Sequence, residues 1–354
     1  MLKTIPQRAL RASSAKRGMN YVTHSRWQID YPPVGKYIDF PRNAKFRITK
    51  PDLNLEPILI AGPTAAGKSA VALALAERLG SEIISVDSMQ VYRGLDLGTA
   101  KPSPEERARV RHHLVDICDL AEGFDAAQFV QQSERVVADI QSRGHTPIFC
   151  GGTGLYFTAY IEGIGEAPPG DKALRAELEA LPLEELLSEL QLKDPETFGR
   201  IDLENPRRVV RAVEVIRLTG RKFSEQRVSW DASAKGQSQR AFCLTRFPDD
   251  LRQRIDRRVD AMFARGLVDE TRRLLNLGLA ENHTAMQAIG YRQVVEHLRG
   301  ERGLAETIEL VKVRTRQFAK RQLTWFRRRG NWRWLELKPQ ETTEEALAEI
   351  LKAL

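Results

Sequence analysis

Gly62, Gly67, Lys68 and Ser69 stand in the order G-x-x-x-x-G-K-S, directly after the apolar run Ile58, Leu59, Ile60. This spacing suits the binding of a polyphosphate. From Gly62 through Pro63, Thr64, Ala65 and Ala66 to Gly67, the loop can curl backbone N–H groups around an anion. The helix expected to start at Lys68 points its positive end at the same anion, and Gly80 stands where a glycine would stop it. Lys68 adds a point charge, and Ser69 offers a hydroxyl to Mg²⁺. The loop predicts a bound polyphosphate without saying which one.

Asp87 ends a second apolar run, in ISVDSMQVY. Ligands of open parallel sheets bind at the carboxyl ends of the strands, so Asp87 is expected beside the phosphate loop. There it can ligate Mg²⁺ or take a proton from a nucleophile; the alternative is that it caps the next helix. A further run, PIFC, passes into Gly151, Gly152, Thr153 and Gly154, not into the metal-binding acid of a P-loop ATPase. That turn can bring N–H groups and the Thr153 hydroxyl to an anion, or serve only as a tight strand-to-helix turn. The missing acid argues against a motor or switch ATPase.

Two regions have the composition of a nucleic-acid surface. In NPRRVVRAVEV, Arg207 and Arg211 are four apart on one helix face, with Arg208 beside Arg211. Residues 312–335 carry nine Lys/Arg and no acid, interleaved with Phe318, Trp325, Phe326, Trp332 and Trp334. Cations can meet phosphates while rings stack on bases; the alternative is a helix with aromatics in the core and solvated arginines.

These residues need a scaffold, and the pattern of apolar runs supplies one. Runs at 57–61, 82–87, 112–117, 146–151 and 241–246 alternate with amphipathic stretches such as 125–143. The alternation predicts an α/β fold, a parallel sheet covered by helices on both faces. It stops between about 167 and 226, where Leu/Glu/Ala-rich sequence reads as helices, with Asn205 as a cap, Pro206 at a first helical position and Gly220 at the far end. After 247 the chain reads as mostly helical. The expected organisation is an extension at 1–55, a core at 56–166, a helical insertion at 167–226 and a second core part at 227–354.

Composition bounds the partners. Cys118, Cys150 and Cys243 are far apart and lack metal-ligand spacing, which fits a reducing compartment and neither a disulfide framework nor a zinc site. No apolar run approaches the roughly 18 residues of a membrane span. The formal charge is +8, but residues 1–50 hold eleven Lys/Arg and two Asp/Glu, while the rest holds 44 basic and 45 acidic groups. The basic character therefore belongs to the N-terminal extension, which is expected to be disordered or to precede the true start of the folded protein; a transit peptide is the alternative reading.

The motifs GPTAAGKS, ISVDSMQVYRGLDLGTAKP, HHLVDI, GGTGLYF, NPRRVVRAVEV, TAMQAIGYRQ and TRQFAKRQLTWFR occur in this order. Together they resemble the tRNA dimethylallyltransferases, also called tRNA isopentenylpyrophosphate transferases, over about residues 57–335. The resemblance implies a P-loop kinase-like core with a small helical insertion. It implies transfer of the dimethylallyl group of dimethylallyl diphosphate to N6 of adenine 37, beside the tRNA anticodon. The phosphate loop, a nucleotide (ATP) site in many proteins, would here hold a prenyl diphosphate, with Mg²⁺ at Ser69. The catalytic set carried over is Asp87 as general base, Thr153 close to both substrates, and Lys68 with Arg258 in the diphosphate clamp. The resemblance assigns contacts with the anticodon stem-loop to Asp87, Ser88, Met89, Gln90, Thr153, Arg175, Arg207, Arg208, Val209, Val210, Arg211, Gln287 and Arg292. Eukaryotic members usually add a zinc finger, and no Cys or His pairs close this sequence, so a bacterial-type enzyme is expected, cytoplasmic and monomeric. The competing readings are an adenine-nucleotide prenyltransferase, a small-molecule ATP-dependent kinase and a non-catalytic RNA-binding module.

Overall fold

The computed structural model describes residues 55–226 and 240–354. The extension read at 1–55 falls outside it apart from Leu55, and so does the boundary at 227. Four of the apolar runs form the strands expected of them: β1 (Ile58–Ala61), β2 (Ile83–Val86), β4 (Ile148–Gly151) and β5 (Ala241–Arg246). The run at 112–117 does not hold to its end. Its strand, β3, is only His112–His113, because Leu114 and Asp116 take left-handed backbone at φ 59° and 58°. A sixth strand, β6 (Arg333–Leu337), lies in sequence read as helical or as RNA-facing; Gly330, at φ 77°, turns the chain into it. All pairings are parallel, in the order β3-β2-β4-β1-β5-β6.

Parallel strands buried on both faces need helices on both faces. Leu59, Ile84 and Phe149 pack on one side with Phe129 of helix α3 (Ala126–Ser142) and Phe157 of α4 (Gly154–Glu162). Ile58, Ile60 and Ile148 point the other way, onto Val71 and Leu75 of α1 (Lys68–Leu79). Between α1 and α3 lies the short α2 (Pro104–Arg109), started by a Ser103 capping box. Gly80, at φ 60°, closes α1 by donating its N–H to the Ala76 and Glu77 carbonyls.

Residues 172–226 contain helices only: α5 (Lys172–Glu179), α6 (Leu183–Lys193), α7 (Pro195–Phe198), α8 (Pro206–Thr219) and α9 (Phe223–Gln226). They enclose their own apolar cluster, which includes Leu178, Leu186, Leu190 and Val213. Pro206 starts α8 and Gly220 ends it in the left-handed conformation, although the Asn205 side chain makes no capping bond. The rest is α10 (Pro248–Ala264), α11 (Leu267–Leu275), two 3₁₀ turns, α12 (Tyr291–Leu298), the 25-residue α13 (Leu304–Arg328) and α14 (Thr343–Leu351). Leu347 and Ile350 of α14 join the α1 side of the core. Among the described residues no helix is long and apolar enough to cross a membrane.

α1 leaves β1 on one face of the sheet and α4 leaves the neighbouring β4 on the other, so the connections diverge at the carboxyl ends of this strand pair. That is where an open parallel sheet forms its ligand crevice, and the phosphate loop begins there.

Candidate active site

Gly62 takes φ 145°, and a Cβ on it would lie 2.2 Å from the Leu244 carbonyl oxygen, so only glycine lets the loop leave β1 against β5. Two arginines hold the loop from outside. Arg254 donates from Nε to the Ala65 carbonyl at 3.1 Å. Buried Arg246 donates from Nε to the Ala66 carbonyl at 2.9 Å and from Nη1 to Asp250 and the Lys338 carbonyl. With the Ala66 carbonyl tied back, the same peptide presents the Gly67 N–H on its other side, in line with the unpaired first-turn amides of α1. Ala66 N–H is spent on the Pro63 carbonyl, which also accepts from Lys68 Nζ at 3.1 Å.

Over the loop opens a cleft of ≈ 360 Å³ lined by Gly67, Lys68, Ser69, Arg254, Arg257 and Arg258 among others; every ionisable group in its lining is a cation. Burial pushes the Lys68 ammonium and the Arg258 guanidinium below their ordinary values, while the negative charge of Asp87 pulls both back up. The structure thus brings Lys68, Ser69, Arg258 and Asp87 into one site. Cys150 and Cys243 flank Lys68 on β4 and β5, and burial holds their thiols protonated, pushed up to about 11 and about 12. Among the described residues no cluster of His, Cys, Asp and Glu is built to hold a metal by itself.

The two carboxylate oxygens of Asp87 differ. Oδ1 accepts from the Met89 and Gln90 N–H groups at 2.9 and 3.3 Å. These amides belong to a turn and not to the helix that the capping alternative expected, because the next helix starts only at Pro104. Oδ2 makes no hydrogen bond with the described residues and is uncommitted. Two amides of the glycine turn after β4, those of Gly152 and Thr153, are not available to an anion. Gly152 and Thr153 N–H both donate to the Val86 carbonyl, and a Cβ on Gly151 would lie 2.1 Å from that oxygen. The turn binds the ends of β2 and β4 together, and Thr153 Oγ1 accepts from Ser88 N–H at 3.1 Å, next to Asp87. Gln90 is fully engaged: Oε1 accepts from Ser85, and Nε2 donates to the Thr99 and Ala100 carbonyls.

Gln322 of α13 escaped sequence reasoning. It is buried, accepts the Thr64 N–H at 2.8 Å and donates to the Gly152 carbonyl at 2.9 Å, joining the phosphate loop to the glycine turn. A signal existed: Trp325 and Phe326 follow it at helical spacings of three and four, which puts Gln322 on the inward face. Arg254 also shares a face with Arg258, four residues on.

The residues assigned to RNA divide. Arg207, Arg208, Gln287 and Arg292 are exposed, and Arg207 and Gln287 both donate to the His283 carbonyl, so α8 meets the 3₁₀ turn Ala285–Gln287. Val209 and Val210 correct the assignment: both are buried in the helical cluster, so their side chains are core and not RNA contacts. Arg175 and Arg211 are not free cations either. Both donate to Oε2 of the fully buried Glu214, at 2.6 and 2.7 Å. Of the aromatics in 312–335, Phe326 and Trp332 pack edge-on with Phe157 in the core, whereas Phe318 and Trp334 stay exposed beneath Arg321 and Arg327.

Residues 90–329 match the family model described as IPP transferase. A tRNA dimethylallyltransferase of Geobacter metallireducens is 46% identical over 283 residues, covering 79% of this chain and 92% of that protein. A tRNA dimethylallyltransferase of Thermotoga maritima is 41% identical over 301 residues, covering 84% of this chain and 96% of that one. The solved full-length tRNA isopentenylpyrophosphate transferase of Bacillus halodurans superposes with a TM-score of 0.61 at 38% identity, over 84% of this chain and 96% of its own. A eukaryotic dimethylallyltransferase, captured acting on tRNA, superposes with a TM-score of 0.69 at 28% identity, over 83% of this chain and 78% of its own. Sequence, fold and the phosphate-loop site therefore agree: this chain belongs to the IPP transferase family.

Proposed function

We propose that the protein transfers the dimethylallyl group of dimethylallyl diphosphate to N6 of adenine 37 in the anticodon stem-loop of tRNA, releasing diphosphate. One observation supports it above the rest: a cleft whose ionisable lining groups are all cations stands beside a carboxylate with an uncommitted oxygen. The first suits a diphosphate leaving group, the second a nucleophile that must lose a proton. The N6 lone pair is delocalised into the adenine ring, so the amine attacks well only as its proton leaves. As N6 bonds to C1 of the dimethylallyl group, the C1–O bond breaks and its electron pair departs with the diphosphate. Asp87 Oδ2 takes the N6 proton. Lys68, Arg258 and the first-turn amides of α1 meet the charge that grows on the diphosphate.

The donor set fits Mg²⁺. Ser69 is exposed in the cleft, and this ion is usually held by one or two protein oxygens together with phosphates and water, not by an all-protein cage. When bound, it adds charge neutralisation at the leaving group. Adenine 37 must leave its stack to reach the site, at a cost of a few kcal/mol, offset by stacking and phosphate contacts.

The test is a transfer assay with Mg²⁺, labelled dimethylallyl diphosphate and unmodified tRNA, beside AMP. Label is expected in tRNA and lost when adenine 37 is replaced. Label in AMP alone would assign the protein to the free-nucleotide prenyltransferases.

A further inference from the structure

The segments GLDLGTAKP (94–102) and AIGYRQ (288–293) contribute no side chain to the lining of the cationic cleft. They meet each other instead, at a buried carboxylate. Glu270 of α11 accepts from the Asp96 N–H at 3.2 Å, from the Leu97 N–H at 3.0 Å and from Tyr291 Oη at 2.5 Å. Tyr291 Oη in turn accepts the Gly98 N–H at 3.1 Å. The fit is close: a Cβ on Gly98 would lie 2.4 Å from the Tyr291 ring. Three successive amides of one loop are thus held by two side chains from α11 and α12. Lys101, its side chain only 2% exposed, secures the far end through the Tyr92 carbonyl, Asp96 and Asp116.

The loop passes this order on. Its next two carbonyls, of Thr99 and Ala100, accept from Gln90 Nε2 at 3.1 and 3.2 Å. Gln90 is also bonded by Ser85 and donates its own N–H to Asp87 Oδ1. We infer that Glu270 and Tyr291, through the 96–100 loop and Gln90, are positioning residues that hold the Asp87 carboxylate toward the adenine amine. The inference rests on the reading of Asp87 as the base. It gives the two segments a shared role, since the first is the loop that anchors Gln90 and the second supplies Tyr291, which fixes that loop. Glu270 is suited to the role because burial raises its carboxyl above the ordinary range while two amides and a hydroxyl supply its hydrogen bonds.

The experiment uses the full chain with Tyr291→Phe, which keeps the ring against Gly98 and removes only the hydroxyl, with Glu270→Gln as the second variant. Amide exchange at Met89 and Gln90 should quicken about 10-fold in Tyr291→Phe, because Gly98 loses its acceptor and the loop loosens. In the transfer reaction kcat should fall about 10- to 100-fold, while KM for dimethylallyl diphosphate stays within about twofold. Combined with Gln90→Leu, the two losses in kcat should not multiply, because both break one line of contacts. Unchanged exchange at 89–90, or losses that multiply fully, would overturn the relay. Exchange is read without substrate. A wild-type protein that transfers nothing to tRNA would retire the proposed reaction, and the exchange result would still decide the relay.

Discussion

Gln322 accepts the N–H of Thr64 at 2.8 Å, so a side chain on the long α13 helix sets the backbone of the phosphate loop from the far end of the chain. Its amide nitrogen donates to Gly152, on the turn that supports Thr153 and Asp87. The phosphate loop and the turn beside Asp87 are therefore held to one residue. In Gln322→Leu both Thr64 N–H and the Gly152 carbonyl lose their partner inside the protein, at about 1–3 kcal/mol for each buried group left unpaired. The expected outcome is a fall of about 10- to 100-fold in kcat/KM for dimethylallyl diphosphate. Steady-state kinetics at saturating tRNA measures it, and an unaltered kcat/KM would show that the loop keeps its shape without the clasp.

Asp87 calls for two substitutions, because one oxygen accepts the turn amides and the other is uncommitted. Asp87→Asn keeps an acceptor for the Met89 and Gln90 amides and removes only the basicity. Asp87→Ala removes both. If the proton transfer is the important role, the two variants should slow transfer similarly, by about 10²–10⁴, with tRNA still bound. An Asn variant close to wild type would mean that holding the turn is all Asp87 contributes. Single-turnover rates, with tRNA affinity measured alongside, separate the cases.

The contrast between these two residues shows what sequence conveys. Asp87 was legible because a carboxylate at the end of an apolar run has a definite place in a parallel sheet. The phosphate loop and four strands were legible for the same reason, since buried parallel strands require continuous apolar runs. Gln322, Arg246 and Arg254 were not, because they act on backbone carbonyls and amides of distant segments. A peptide group looks the same at every position, so no pattern of residue types announces its partner. β6 was hidden because Trp332 and Trp334 lie in a basic stretch, and nothing local says that one ring is core and the other exposed.

The exposed arginines of α8 lead to a test of the RNA surface. Arg207 and Arg208 are exposed, whereas Arg211 is bonded to Glu214 and to the Pro168 carbonyl. Replacing Arg207 or Arg208 with Ala should weaken tRNA binding and lower the slope of log K against log salt by about 0.7–0.9 for each phosphate that is no longer met. Arg211→Ala should instead lower the melting temperature, because a fully buried carboxylate loses one of its two cations. Binding titrations from low to moderate salt decide the first point. An unchanged slope in both exposed variants would return this helix face to plain solvated charge.

Glu214 ties the stability of the helical segment to pH. Burial alone would raise its carboxyl, but the hydrogen bonds from Arg175 and Arg211 and their charges prevail and hold it below its ordinary 4.5. A carboxyl depressed in the folded state contributes stability that is complete above its unfolded value and is lost as pH falls through the folded one. The wild-type melting temperature should therefore drop as pH is lowered from about 5 toward 3, with Glu214 as one source of the drop. Glu214→Gln, which cannot ionise, should start lower at neutral pH, because two half-exposed arginines lose their shared anion, and should then decline less steeply. Melting curves of both proteins across that range provide the comparison. Parallel declines would mean that other carboxylates govern acid unfolding and that the Glu214 pair adds nothing measurable to it.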